Sequence, residues 1–167
     1  MKNWIENGTK SELAKLTVAP EDLAVRNDVT SATTGEVMRK GKAFFTYEEF
    51  ETLRKQGHIP DGWRLPTIDE AKELISEFAG DEMTSQRFMD ALHLNYGGYV
   101  YPQMKDYNED PTDFSEAIEN RYLEGRYWVE NPHDGSLYAL WVHRHKRPML
   151  QTFCPASGAK VRLVHSS

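Results

Sequence analysis

The chain has 167 residues, a size that suits one domain or one domain with a short arm. Hydrophobic residues make up 39% and charged residues 28%, which is enough apolar material for a packed core and excludes global disorder. No apolar run approaches the roughly eighteen residues a transmembrane helix needs, and the lone Cys154 excludes an intrachain disulfide and a cysteine-based zinc cage.

The net charge of −6 is unevenly spread. Residues 1–46 carry seven basic and six acidic residues, 47–130 carry eight and nineteen, and 131–167 carry five and one. The acidic middle would repel a phosphate backbone, so nucleic acid is not an expected partner. Neither is a membrane, and the polar N-terminus has no apolar segment of the secretory kind.

Residues 1–40 are polar, rich in Thr and Ser, and weakly periodic. Ser11 to Leu16 reads as a short helix, Pro20-Glu21-Asp22-Leu23 as the start of another turn, and Val29 to Gly35 as a strand or extended arm. This composition predicts an N-terminal attachment arm over 1–40, with the folded domain over 41–167. Thr46-Tyr47-Glu48-Glu49 and Thr67-Ile68-Asp69-Glu70 are two capping boxes. Each predicts a helix, the first ending at Gly57, the second carrying Ile68, Ala71, Leu74, Ile75 and Phe78 on one stripe and stopping at Gly80. A third, shorter helix is expected over Ser85 to Leu92.

Beyond residue 94 the pattern changes to short strands rich in aromatic and β-branched residues. They are Tyr99–Tyr101, Arg126–Val129, Leu137–His143 and Lys160–His165, with Asp134-Gly135 as a hairpin turn between the second and third. Residues 102–124 read as a long acidic loop with a short helix at Phe114 to Asn120. Helices followed by an antiparallel sheet give an α+β order.

Gly62-Trp63-Arg64-Leu65-Pro66-Thr67, followed by a capped helix, resembles a segment of the C-type-lectin-like superfamily. The branches it resembles are the Fibrobacter succinogenes major paralogous domain and the formylglycine-generating type. Four further pieces fall in that family's order: Phe45 to Glu49, Leu94-Asn95-Tyr96-Gly97-Gly98-Tyr99, Gly125-Arg126-Tyr127-Trp128 and Val161-Arg162-Leu163-Val164. The resemblance covers roughly residues 41–167. It implies a C-type-lectin-like fold, with two main helices beside a small twisted antiparallel sheet and long loops, and it puts Trp63, Trp128 and Trp141 in the core. It implies a binding surface more than a reaction, as in phage tropism proteins that present such domains to bacteria. Residues Val29 to Phe44 also resemble short stretches of phage tail and head-appendage proteins.

Catalytic residues are not expected. The formylglycine-generating reaction needs a cysteine pair where this chain has only Cys154, and no Ser-His-Asp spacing, phosphate loop or His-Glu-x-x-His is present. His143 and His145, two apart on a strand, would share a face and could start a metal site with His133 or Asp134, but Arg144, Lys146 and Arg147 would oppose a cation. Asp106 to Asp110 offers oxygens at alternating positions, yet Pro111 and Ala117 stand where an EF-hand needs Gly and Glu. No metal or cofactor is therefore expected. Candidate binding residues are Tyr96, Tyr99, Tyr101, Tyr107 and Tyr138, since Tyr supplies a large rigid face and a hydroxyl, together with His133, Arg144 and His145. Arg64 is expected to be held by a carboxylate or carbonyl oxygens and to fix the turn before the second helix.

The expectation is a non-enzymatic phage virion component, a head or tail appendage or receptor-binding module, assembled in the bacterial cytoplasm. Its partners would be other virion proteins through residues 1–40 and a bacterial-surface glycan or protein, and it would form a homo-oligomer that gains avidity by repetition. The alternative is a soluble intracellular protein that binds a host factor through its acidic surface.

Overall fold

The structure is a computed structural model that describes residues 3–100 and 118–166. Among the described residues it is a mixed α+β fold of four helices and several small antiparallel sheets. After a one-turn helix α1 (Trp4–Asn7), strands β1 (Thr9–Ser11) and β2 (Leu16–Val18) form a hairpin where the sequence suggested a helix. Lys15 takes the left-handed conformation (φ 56°) that closes it. The Ser11 hydroxyl accepts from the Ala14 amide, and the Glu77 carboxylate accepts from the Ser11 hydroxyl and the Glu12 amide. These bonds satisfy turn groups that a helix would have satisfied internally.

Residues 3–40 are not a separable arm. Strand β2 lies inside a four-stranded sheet of order β1-β2-β11-β5, between β1 and the C-terminal β11 (Val164–Ser166), with β5 (Trp63–Arg64) at the far edge. Trp4, Leu16, Val18, Ala19, Leu23 and Val25 are each at most 5% exposed. The chain then runs against the C-terminal segment, with the Ala19 and Leu23 amides donating to the Leu163 and Val161 carbonyls. A second hairpin, β3 (Val29–Thr30) with β4 (Val37–Met38), buries Val29 and Met38 and is tied to the next helix by Gln56, which bonds the Ala32 amide and the Thr30 carbonyl.

Both capping boxes form. Thr46 and Glu49 cap helix α2 (Tyr47–Lys55), and Thr67 and Glu70 cap helix α3 (Ile68–Phe78). In each, the Thr hydroxyl accepts from the N3 amide and the Glu carboxylate accepts from the Thr amide. Glu70 also takes both ends of the Arg64 guanidinium, each at 2.7 Å, so one carboxylate fixes the helix start and the preceding turn together. Helix α4 (Gln86–Leu92) buries Phe88, Met89 and Leu92 and ends at His93, whose left-handed conformation (φ 56°) turns the chain away.

A three-stranded antiparallel sheet is formed by β8 (Glu124–Val129), β9 (Tyr138–His143) and β10 (Lys146–Thr152), and the Asp134-Gly135 turn joins the first two as expected. All six residues of β8 are buried. Trp128 enters one apolar cluster with Phe45, Phe50, Leu53 and Leu163, while Tyr127 and Val129 enter a second with Phe88, Leu92, Leu140 and Val164. The strand is thus the partition between two halves of the core, which is why it lacks a polar alternation. The Trp128 indole donates to the Phe45 carbonyl at 2.7 Å. Arg126, also on β8, is 6% exposed, sandwiched between the rings of Tyr99 (3.5 Å) and Trp141 (3.6 Å) and paired with Glu124 at 2.8 Å.

Strands β6 (Tyr99–Val100) and β7 (Ile118–Glu119) pair before β8. Gly98 precedes them at φ 78°, and a Cβ there would lie 2.3 Å from the Glu119 carbonyl oxygen, so only glycine fits. The helix expected at Phe114 to Asn120 is not formed over 118–119, which are β7; its residues 114–117 lie outside the described residues. The expected strand Lys160–His165 is shorter, because residues 158–160 instead make single bridges to Val100, Phe45 and Tyr127 and only Val164–Ser166 joins a sheet.

Candidate functional site

A cavity of about 430 Å³ opens where α4, the Asn95–Gly97 turn, the turn after β7 and the β9–β10 turn converge. Its apolar wall is Phe44, Met89 and Leu94, and its polar side chains include Gln86, Asn95, Tyr96, Arg121, Tyr122, Arg144 and Lys160.

The floor is an ion network built from distant parts of the chain. Asp22 accepts from Arg162 at 2.6 Å, from Asn95 at 2.8 Å and from Lys160 at 3.1 Å. Lys160 also donates to the Asn95 side-chain oxygen at 2.8 Å and lies 5.3 Å from the centre of the Phe44 ring. One carboxylate among two cations leaves this floor positive. The Asn95 backbone is held by Tyr127, whose hydroxyl receives the Asn95 amide at 3.0 Å; burial pushes that hydroxyl well above its ordinary pKa and keeps it a neutral donor and acceptor.

The side wall is Arg144 on Tyr96. The guanidinium lies 4.5 Å from the centre of the ring, and its Nε donates to the Tyr122 carbonyl. That leaves the two terminal nitrogens without a partner among the described residues, on a guanidinium whose plane is already fixed. Tyr96 is 8% exposed, burial raises its hydroxyl's pKa, and the hydroxyl has no hydrogen-bond partner among the described residues.

The rim is Arg121 and Tyr122. Tyr122 is 71% exposed and sits at φ 69°, a left-handed conformation costly for an aromatic residue. It is held there at both ends, its amide donating to the Tyr96 carbonyl at 2.7 Å and its carbonyl accepting from Arg144. Arg121 is exposed and makes no ion pair among the described residues. Gln86, also in the lining, is engaged by the Asp90 carboxylate, which accepts from it at 2.7 Å.

Of the residues singled out by sequence, the fold brings Tyr96 and Arg144 together here. Tyr99 is a core residue, 3% exposed beneath Arg126, because β6 faces inward. Tyr138 is half-buried against the second cluster. His133 is on the exposed β8–β9 turn, 3.1 Å from Asp69 at the start of α3. His145 lies in the β9–β10 turn rather than on a strand face; its amide donates to His143 Nδ1 at 3.0 Å, and the two rings are 5.7 Å apart. Burial lowers the His143 pKa, favouring the neutral ring. Among the described residues no group of three or more His, Cys, Asp or Glu is arranged to hold a metal ion. Cys154 is exposed, next to the buried Phe153. Tyr101, Tyr107 and the acidic Asp106–Asp110 run lie outside the described residues.

Arg121, Tyr122, Lys160 and Asn95 escaped the sequence reading. They meet only through the fold, and Asn120, a residue type that tolerates the left-handed conformation it takes at φ 51°, was the single local sign of the turn that presents two of them. No family model, no curated protein and no solved structure matches this chain.

Proposed function

We propose that the chain is a non-enzymatic recognition module of a bacteriophage particle, carried on a C-type-lectin-like fold. The fold part of this reading is supported by the motif segments that resemble that superfamily and by where they lie. Trp63 and Arg64 pair with His165 and Val164, so the Gly62–Thr67 motif and the closing Val161–Val164 segment are neighbours, and the capped helix follows the motif directly. Two main helices stand beside small antiparallel sheets.

The observation that carries the functional part is the cavity of Tyr96, Arg121, Tyr122, Arg144 and Lys160. Its described lining offers hydrogen-bond donors and aromatic faces and includes no carboxylate, imidazole or thiol, a composition suited to holding a ligand rather than transforming it. Because residues 3–40 belong to the core, contact with other particle proteins is assigned to the outer surface of that segment, where Ile5 and Leu13 are 44% and 53% exposed. Repetition of the chain on the particle would multiply a weak single-site affinity.

The test is mass spectrometry of purified particles, followed by adsorption assays with particles carrying Arg121→Glu. The chain is expected at stoichiometric copy number, and the variant particles should assemble and adsorb poorly. Absence of the chain from particles, with abundance in infected cells, would overturn the reading in favour of an intracellular partner.

A further inference from the structure

We infer that the cavity binds an oxyanion carried on a ring: a carboxylate or phosphate group seated between Arg144, Arg121 and Lys160, with the attached ring lying on Tyr122. The inference rests on the cavity being the recognition site and adds the chemistry of what it recognises.

Three observations converge on it. The first is charge. Asp22 is already engaged by Arg162 and Lys160, so the floor keeps one positive charge, and Arg121 and Arg144 add two more within the same 430 Å³ space. Beside burial, the charge of Asp90 raises the Tyr96 hydroxyl's pKa, but Asp90 is not part of the described cavity lining and accepts from Gln86. Among the described residues no carboxylate lines the cavity beside these cations; like charges held together repel, and an oxyanion relieves that repulsion.

The second is geometry. Stacking on Tyr96 and the bond from Nε to the Tyr122 carbonyl fix the Arg144 guanidinium in one plane. Its two terminal nitrogens then form a ready fork, the arrangement that matches two oxygens of a carboxylate or phosphate. Little side-chain entropy remains to be lost on binding.

The third is the ring platform. Tyr122 is a large aromatic left 71% exposed and held in a strained backbone conformation by two hydrogen bonds. Backbone strain of this kind persists only where the surroundings impose it, and it gathers at ligand clamps. An exposed rigid ring beside a guanidinium fork suits a ligand with a flat face next to its anionic group. Phe44, Met89 and Leu94 supply an apolar wall on the other side.

The experiment is an amide-shift NMR titration of the full chain with four probes: glucose 6-phosphate, glucuronate, glucose and inorganic phosphate. Either or both of the first two should bind with shifts at residues 95–97, 121–122 and 144, and which one binds more tightly tells phosphate from carboxylate. Glucose should not saturate, and inorganic phosphate should bind about tenfold more weakly than the better ring-bearing anion, because it forgoes the stacking contact. Arg121→Gln removes a side chain that bonds none of the described residues and should weaken binding about tenfold, as loss of a charge-assisted hydrogen bond does. Arg144→Lys keeps the charge, loses the fork, and should also weaken it. Equal binding of glucose and glucose 6-phosphate, or undiminished binding by Arg121→Gln, would overturn the oxyanion assignment. If no probe shifts the cavity while particle adsorption still depends on Arg121, the inference fails and the recognition reading stands. If adsorption is indifferent to Arg121, the recognition reading itself fails.

Discussion

Asp22 is the residue whose removal should cost the fold most for its size. Among the described residues its carboxylate is the one anion paired with Arg162, whose side chain is 5% exposed, and it also takes Lys160 and Asn95. Arg162 cannot lose its proton, so replacing Asp22 leaves a buried guanidinium with no carboxylate partner among the described residues and with the Ala19 and His93 carbonyls as acceptors at 3.1 and 2.8 Å. Breaking a buried pair in this way costs about 3–5 kcal/mol, which is the expected destabilisation of Asp22→Ala. Asp22→Asn keeps an acceptor and loses the charge, and should cost about 1.5–3 kcal/mol. For a chain of this length, about 3–5 kcal/mol corresponds to a fall in Tm of roughly 6–20 °C. Urea unfolding should show the midpoint moving with the slope unchanged, which separates lost stability from an altered unfolded state. The decisive comparison is a double-mutant cycle with Arg162→Met. The Asp22→Ala penalty should shrink sharply in that background. If it is the same in both, or below about 1 kcal/mol in the native background, the charge argument is wrong and Asp22 acts only as a space-filling polar residue.

Tyr122→Gly should leave Tm unchanged or raise it, since glycine relieves a left-handed strain of about 1–2 kcal/mol against a comparable or smaller gain in unfolded-chain entropy, while anion binding measured by NMR falls. At Glu70, burial pushes the carboxyl up, but the Arg64 fork and the Thr67 amide outweigh it and hold the folded pKa below the ordinary 4.5. The stabilisation from this group is therefore complete above about pH 4.5 and is lost as pH falls through the folded value; melts should show a Tm gap between the native chain and Glu70→Gln at pH 7 that closes on acidification. Deleting residues 1–27 removes five deeply buried side chains (Trp4, Leu16, Val18, Leu23 and Val25), at about 1.5–3 kcal/mol each. The total, about 8–15 kcal/mol, matches the whole stability of an ordinary domain, so calorimetry of the truncated chain should show no cooperative transition.

What could be read from the sequence was what local chemistry decides. The two Thr-x-x-Glu boxes closed as hydrogen-bonded caps because their partners are three residues apart, and the Asp134-Gly135 turn formed because its backbone demands are local. The N-terminal hairpin escaped because β2 is buried on both faces, so Leu16-Thr17-Val18 carries no alternation and is too short to announce a strand. Tyr99 was misread for the same reason in reverse. An aromatic in a two-residue strand carries no sign of which face is covered, and here the cover is Arg126 from a strand some twenty-seven residues later. The cavity was half legible: Tyr96 and Arg144 stand out as residue types, but their meeting depends on the Tyr122 carbonyl and on Asp22, 138 residues from Lys160.

That long-range construction bears on selectivity. Residues 47–130 carry eleven more acidic than basic residues, whereas the cavity concentrates three cations from three segments. At physiological salt, charges farther apart than about 8 Å are largely screened, so the surface field governs approach and the cavity governs contact. An extended polyanion meets the repulsion of a chain with net charge −6 and gains only one seat. A single oxyanion on a compact ring meets the fork of Arg144 at hydrogen-bond distance, where the attraction is strongest, and leaves the acidic surface to solvent. The two charge patterns together discriminate by ligand size rather than by charge alone. The discrimination depends on Asp22, because without it the floor lysine loses the partner that holds it beside Asn95.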